Sequence, residues 1–155
     1  IQLNFSAGLT TGFTYAITNI SISGVNNSGT FTYSNSIGDW TAQDGTASYA
    51  YAGDFNGTIT DNVLKLSTGS NALMLMPQTV PAGAEISITY TATANSTNQV
   101  TFNGTKKVAI GGVEWKKGSN ICYKLILPTG AEAITYSTVV NPWGEEDSQD
   151  KTTQP

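Results

Sequence analysis

Residues 71–90 read NALMLMPQTVPAGAEISITY, and this stretch decides the fold class. The apolar run Ala72–Met76 stops at Pro77, and a polar turn that contains Pro81 follows. From Glu85 onward apolar and polar residues alternate, which is the two-residue period of a strand that buries one face. The stretch therefore predicts a buried strand, a turn and a half-buried strand. We expect a β protein.

The composition supports the same class. A chain of 155 residues with 39% hydrophobic residues is long enough to form one domain with a core. Only 12% of the residues are charged, whereas Thr, Ser, Asn and Gly are abundant. Thr suits a half-wet sheet surface, and Asn and Gly suit turns. This profile is typical of an extracellular β protein.

The missing residue types limit the function. The chain has no His and no Arg, and its formal net charge is −4. Without His it lacks the side chain that titrates near neutral pH and the commonest metal ligand. An acidic chain without Arg is a poor match for nucleic acid. We expect no nucleic-acid partner and no cofactor, and the chain is not expected to be an enzyme.

Strand patterns recur along the chain. In Phe13–Val25 the apolar residues change parity, so a bulge near Thr18 and Asn19 would bring them to one face. The turn that follows predicts a hairpin with Thr30–Ser34, and Asn103-Gly104 is a second hairpin signal. The other predicted strands are Ala47–Ala52, Thr58–Thr60, Val113–Trp115, Ile121–Leu127 and Ile134–Val140. The prediction is seven to nine strands in a two-sheet β-sandwich.

Three regions are expected. Residues 1–12 are interpreted as an N-terminal extension or the remnant of a preceding segment, and residues 13–143 as the sandwich domain. Residues 144–155 carry acids and no large apolar side chain, so they are interpreted as a polar acidic tail. The sequence starts at Ile1 without a signal peptide, so we expect a mature product or a fragment.

No pattern of reactive side chains is specific. The oxygen-bearing segment Asp54–Asp61 is a weak match to a calcium loop, and ordinary turn chemistry explains it better. Acids flank each tryptophan, among them Asp39 and Glu114, but nothing pairs them across a cleft as glycoside hydrolysis needs. Cys122 lies in an alternating apolar strand and is interpreted as a small buried hydrophobe.

The three tryptophans allow two interpretations. Trp40, Trp115 and Trp143 lie in loops or at strand starts, where an exposed ring can stack on a sugar. The alternative is that these rings plug the ends of the sandwich. A small sandwich also has open edge strands, which can accept a strand from another molecule.

Four segments carry a resemblance to a known family. They are YAITNISISGVNNSGTFTY (residues 15–33), LMLMPQTVPAGAEISITY (73–90), VEWKKGSNICYKLIL (113–127) and AITYSTVVNPW (133–143). Their order resembles the C-terminal domain of the fimbrillin-like family of Bacteroidales, the subunits of type V fimbriae or pili. The combination of L-x-P-Q-T with W-x-x-G is the more specific part.

The resemblance implies a fold and a function. Such proteins are similar to two transthyretin-like, Greek-key sandwiches in series, exported as lipoproteins, trimmed by a protease and held at the outer membrane. They polymerise by donor-strand exchange, in which a strand of one subunit fills a groove in the next. The chain departs from this pattern because it has no lipobox cysteine and no Arg for a processing site. The best candidates for the exchanged strand are Ile1–Thr11 and Ile134–Pro155.

The implied function is a structural or adhesive subunit of a cell-surface fimbria, without catalysis. Its partners would be other fimbrial subunits and a surface ligand or glycan of a host or bacterium. The alternative is a non-catalytic carbohydrate-binding module of a surface protein, for which Trp40, Trp115 and Trp143 would be the stacking residues.

Overall fold

The computed structural model describes residues 1–67 and 71–142, and within them every regular element is a β-strand. This confirms the all-β prediction. The strands are β1 (Gln2–Gly8), β2 (Phe13–Val25), β3 (Ser28–Ser34), β4 (Ile37–Asp44), β5 (Ala47–Tyr51), β6 (Ile59–Thr60), β7 (Val63–Lys65), β8 (Leu73–Met74), β9 (Gln78–Thr79), β10 (Glu85–Ala94), β11 (Gln99–Ala109), β12 (Glu114–Trp115), β13 (Ser119–Ile126) and β14 (Thr135–Pro142). Nine of these strands have five or more residues, and the remainder are pairing segments of two or three residues.

Two large sheets form the body of the sandwich. The first sheet has the strand order β14-β13-β1-β7-β6, and β8 pairs with β1 beside β7. The second sheet has the order β11-β10-β2-β5. Two small ribbons, β3–β4 and β9–β12, complete the pairing of the described residues. In this part of the chain no helix has the length and apolar character needed to cross a membrane.

The core lies between the facing sides of the two sheets. In β10, Ile86, Ile88, Tyr90 and Ala92 are buried while the residues between them are half-buried, as the alternation from Glu85 predicts. Alternate residues of β1 and β13 bury their side chains from the other side of the same core. The core is thus built by a two-residue period in strands that lie far apart in the sequence.

The bulge in β2 is confirmed. Against β10, Asn19 is paired with Thr89 and Ile17 with Tyr90, so Thr18 is the extra residue. The shift brings Ile17 and Ile20 into the core although they are separated by three positions.

Two hairpin predictions are wrong. Strand β3 does not pair with β2; it pairs with β4 through the turn at Asn35 and Ser36, whose φ angles are 52° and 63°. Positive φ at both turn residues is what a tight two-residue hairpin turn requires. Strand β11 runs straight through Asn103-Gly104, and the β10–β11 turn lies between Ala94 and Gln99 instead. Long-range pairing with β10 outweighs the local turn preference.

The apolar run Ala72–Met76 is not the buried strand that its composition predicts. Only Leu73 and Met74 form a strand, β8, which pairs with the start of β1, and Met74 is 62% exposed. Leu75 continues the contact through hydrogen bonds with Ile1. The run forms a short, partly buried pairing segment beside β1 instead of a long buried strand, so apolar composition alone overestimates its burial.

Gly111 is a position where a side chain has no room. A Cβ there would lie 2.6 Å from the carbonyl oxygen of Pro81 and 2.7 Å from the Cα of Ala82. Because both atoms are backbone, we expect Gly111→Ala to lower the free energy of unfolding by about 1–3 kcal/mol. Gly83 is the matched control, because a Cβ there meets no atom within 4 Å. Chemical denaturation measures both variants, and equal losses would contradict the expectation.

Candidate functional site

Strand β1 occupies the centre of the first sheet. One side pairs in parallel with β13 along the whole strand, from Gln2 opposite Asn120 to Gly8 opposite Ile126. The other side pairs antiparallel with β8 at its start and β7 at its end. None of these partners is adjacent to β1 in the sequence, and β2, which follows it, lies in the second sheet. The place of β1 is therefore a slot formed by distant parts of the chain.

The side chains of β1 fill this slot on the core side. Leu3, Phe5 and Ala7 are at most 1% exposed, and the Phe5 ring centroid lies 5.1 Å from that of Tyr51. Burying a large apolar side chain stabilises a fold by about 1.5–3 kcal/mol. Without β1, the slot would expose core residues of both sheets to water.

The backbone of β1 is bonded on the side away from β13 as well. The Phe5 carbonyl accepts the N–H of Leu66 at 3.1 Å, and the Phe5 N–H donates to Ser67 Oγ at 2.7 Å. On the face opposite the core, Asn4 and Ser6 are also buried. Each of these contacts belongs to the strand position, whichever molecule supplies the strand.

A short exposed segment joins β1 to the rest of the chain. Thr10, Thr11 and Gly12 are exposed, and Gly12 has a φ of 88°. Such a φ favours glycine, because glycine has no Cβ to clash. None of these three residues belongs to the core.

The other predicted exchange region is Ile134–Pro155. Its first part forms β14, the edge of the first sheet, which pairs with β13 alone among the described strands. Val140 on this edge is 60% exposed. The residues from Trp143 onward, including the predicted acidic tail at 144–155, lie outside the described residues.

The tryptophans predicted as stacking residues have different environments. Trp115 is 1% exposed and its Nε1–H donates to the hydroxyl of Tyr123 at 3.0 Å, so it packs as part of the core. Trp40 is 36% exposed on β4 and contacts Phe31 at a centroid distance of 5.3 Å. Trp143 lies outside the described residues.

A cleft separates the β3–β4 ribbon from the β9–β12 ribbon. Its volume is about 550 Å³. Aromatic and charged side chains share its walls, including Trp40, Asp39, Glu114, Lys116 and Lys117. Lys117 donates to the backbone carbonyl of Gly38 and so ties the two ribbons together. The two acids and two lysines balance in formal charge, so the cleft suits a neutral polar ligand.

The segment Asp54–Asp61 contains a turn at Phe55 and Asn56, followed by strand β6. The carboxylate of Asp54 accepts the backbone N–H of Asn56 at 2.9 Å, which is ordinary turn chemistry. The described residues contain no group of three or more His, Cys, Asp or Glu side chains placed to hold a metal ion. Cys122 is buried, at 3% exposure.

Three buried tyrosines are expected to make the fold less stable at alkaline pH. Burial raises the pKa of Tyr51, Tyr90 and Tyr123 above the usual value near 10. The folded chain keeps these protons at pH values where the unfolded chain loses them, so stability is full below about pH 10 and falls above it. We expect a loss of up to about 1.4 kcal/mol per pH unit for each tyrosine. Melting curves from pH 8 to 12 measure this, and an unchanged Tm at pH 11 would contradict it.

Two comparisons relate the chain to known proteins. The model of a family described as fimbrillin-like matches residues 1–143. The crystal structure of a fimbrial protein from Bacteroides vulgatus ATCC 8482 has a similar fold, with a TM-score of 0.57 and 18% sequence identity. That alignment covers 92% of this chain and 53% of the other, so the chain spans about half the length of that protein. No curated protein matches the sequence significantly.

The resemblance carried by the four sequence segments is thus confirmed by a match that extends over most of the chain. The chain belongs to the fimbrillin-like family.

Proposed function

We propose that this chain is a structural, non-catalytic subunit domain of a cell-surface fimbria, joined to its neighbours by exchange of a β-strand. Membership of the fimbrillin-like family supports the fimbrial role. The observation that carries the exchange is the position of β1: a buried central strand whose partners are all distant in the sequence.

Exchange can follow directly from this position. In the proposed step, β1 of one subunit leaves its own slot and enters the slot of the next, while the exposed segment Thr10–Gly12 changes direction. The same ladder and the same core contacts form in both arrangements, so little is lost by changing the donor. A head-to-tail contact of this kind gives a filament when successive subunits do not close into a ring.

The burial of β1 explains why such a joint would hold. An empty slot would expose the surroundings of Leu3, Phe5 and Ala7 to water, which is unfavourable in proportion to the apolar area. Dissociation without a replacement strand would therefore be slow. We place the polymer at the cell surface, anchored at the outer membrane.

The test is the size of the purified full chain under mild and denaturing conditions. We expect a ladder of multimers that survives detergent at room temperature and collapses on boiling to the 16.3 kDa subunit. A strict monomer across concentrations that favour assembly would contradict the proposal.

A variant on β14 distinguishes β1 exchange from strand addition at the β14 edge. Val140→Lys places a charge on that edge, which blocks edge-to-edge pairing. Because the Val140 side chain is exposed and lies outside the β1 slot, we expect the ladder of multimers to persist. Loss of the ladder in this variant alone would instead support β14 as the joining strand.

We also propose, as a second candidate function, that the cleft beside Trp40 binds a neutral glycan. The supporting observation is an exposed indole on a wall that also carries Asp39, Gln43 and Lys116. Aromatic rings stack on the apolar face of a sugar, and the polar groups can bond its hydroxyls.

Titration of the full chain with chito- and manno-oligosaccharides tests this second function. We expect Trp40→Ala to weaken any binding at least tenfold. Tyr33→Ala is the matched control, since Tyr33 is 70% exposed on the same ribbon but does not line the cleft. Equal losses in both variants, or binding unaffected by either, would contradict a Trp40 site.

A further inference from the structure

The strand in the β1 slot is contacted on two faces, and the second face is polar. Opposite the core, β1 presents Asn4 and Ser6, which are 5% and 0% exposed. The Nδ2 of Asn4 donates to the Oδ1 of Asn120 on β13 at 2.6 Å. On the other side of β13, Asn120 is paired with Asn141 of β14. Three buried asparagines thus form a row across β1, β13 and β14.

This row of amides stabilises the sheet less than apolar side chains of similar size would. A buried polar atom without a partner is unfavourable, and in the described part of the chain Asn4 Oδ1 and Asn141 Nδ2 have none. Apolar side chains of similar size would avoid that cost. The row instead distinguishes strands that carry an amide at this position from strands that do not. A strand without the amide leaves the Oδ1 of Asn120 without the donor that Asn4 provides.

The core face of the slot distinguishes the same strand by size. Its side chains change from Leu3 and Phe5 to Ala7, all three fully buried. A shift of two residues that puts Ala7 in the space that Phe5 fills also puts Ser6, which has no side-chain amide, in the place of Asn4. A shift of one residue would turn the apolar side chains away from the core. Both faces therefore favour a single register.

We infer that the amide row selects the joining strand: the slot accepts a strand that carries a side-chain amide between two large apolar residues, as Asn4 lies between Leu3 and Phe5. This inference rests on the proposed exchange of β1 and goes beyond it, because it states which strands a subunit accepts. A partner subunit would be recognised by this pattern in its own strand, and one with an apolar residue at that place would be rejected.

Mixing of full-length chains tests the inference. Fluorescent wild-type chain is assembled with an excess of unlabelled wild-type, Asn4→Leu or Asn4→Ala chain, and the unlabelled share in the multimers is measured by mass spectrometry. Asn4→Ala removes the amide without adding bulk, so it remains informative if the leucine variant fails to fold. We expect both variants to enter wild-type multimers less readily than wild-type chain, by about five- to 150-fold, the range for a lost buried hydrogen bond.

The reciprocal change makes the test specific. Replacing both partners of a buried hydrogen bond by apolar groups can be nearly neutral. We therefore expect the double variant Asn4→Leu, Asn120→Leu to assemble with itself and to exclude wild-type chain. If wild-type chains exchange while Asn4→Leu and Asn4→Ala enter as readily as wild-type, the amide selection is overturned and strand exchange stands. If wild-type chains do not exchange at all, the proposed function fails and this inference fails with it.

Discussion

Replacing Trp115 by alanine is expected to lower the free energy of unfolding by about 3–5 kcal/mol, the usual cost of removing a buried tryptophan side chain. Trp115 is 1% exposed. Its removal would leave a cavity beside Tyr123 and take away the N–H that this hydroxyl accepts. Urea denaturation followed by circular dichroism measures the loss.

Trp40→Ala is the matched control for this prediction. Trp40 is 36% exposed on a two-stranded ribbon, so its loss should cost no more than about 1 kcal/mol. Tyr123→Phe isolates the hydrogen bond, because it keeps the ring and leaves the Trp115 N–H without its acceptor, at about 1–3 kcal/mol. Similar losses in the Trp115 and Trp40 variants would mean that Trp115 is not in the core.

Replacing Phe5 by alanine is expected to have an effect of the same size, again about 3–5 kcal/mol, because Phe5 is 1% exposed and packs against Tyr51. The consequence for assembly is more specific. If β1 is the exchanged strand, every joint contains one copy of this ring, and the multimer should lose its resistance to detergent. The measurement combines denaturation of the monomer with the gel ladder of the multimer.

Gln2→Ala is the control on the same strand, because Gln2 is half-buried at its first residue. We expect little change in either readout, within about 0.5 kcal/mol for stability. A Phe5→Ala chain that is destabilised yet forms an unchanged ladder would argue that another segment joins the subunits.

Much of the sheet structure follows from local patterns. The alternation in β10 and the change of parity in β2 predict the buried residues and the bulge at Thr18, since both depend only on the two-residue period. The turn predicted at Asn103-Gly104 is wrong, because this local turn preference is weaker than the ladder that β11 forms with β10. A local sequence pattern thus predicts the structure correctly where it reflects the burial of one face of a strand.

The slot around β1 depends on contacts that no local pattern contains. The alternation in Gln2–Gly8 could have indicated a strand, with Leu3 and Phe5 on one face and Asn4 on the other. Its parallel partner β13 begins more than a hundred residues later, however, and pairing over such separation cannot be deduced from spacing. The hydrogen bond between Asn4 and Asn120 cannot be predicted from the sequence for the same reason.

The tryptophans illustrate a second limit. Trp40 and Trp115 both lie beside an acid in strand segments, yet Trp40 is 36% exposed and Trp115 is buried. The difference arises because β4 belongs to a ribbon apart from the two large sheets, whereas β12 packs at the end of the sandwich. The residue type and its sequence neighbours therefore do not predict which tryptophan is buried.

A disulfide between β1 and β13 tests the proposed exchange most directly. The Oγ of Ser6 lies 3.8 Å from the Sγ of Cys122, so Ser6→Cys places two thiols within reach of a bond after a small adjustment. Multimers of this variant are purified, oxidised, boiled in detergent without reductant and separated by mass. Ser6→Cys combined with Cys122→Ser is the control that cannot form the bond.

If β1 of each subunit occupies the slot of its neighbour, the new bond joins different chains, and a ladder in steps of 16.3 kDa survives boiling until reductant is added. If each β1 stays in its own slot, the same treatment closes the bond within one chain. The boiled sample would then run as a monomer although multimers were present before, and that result would contradict the account.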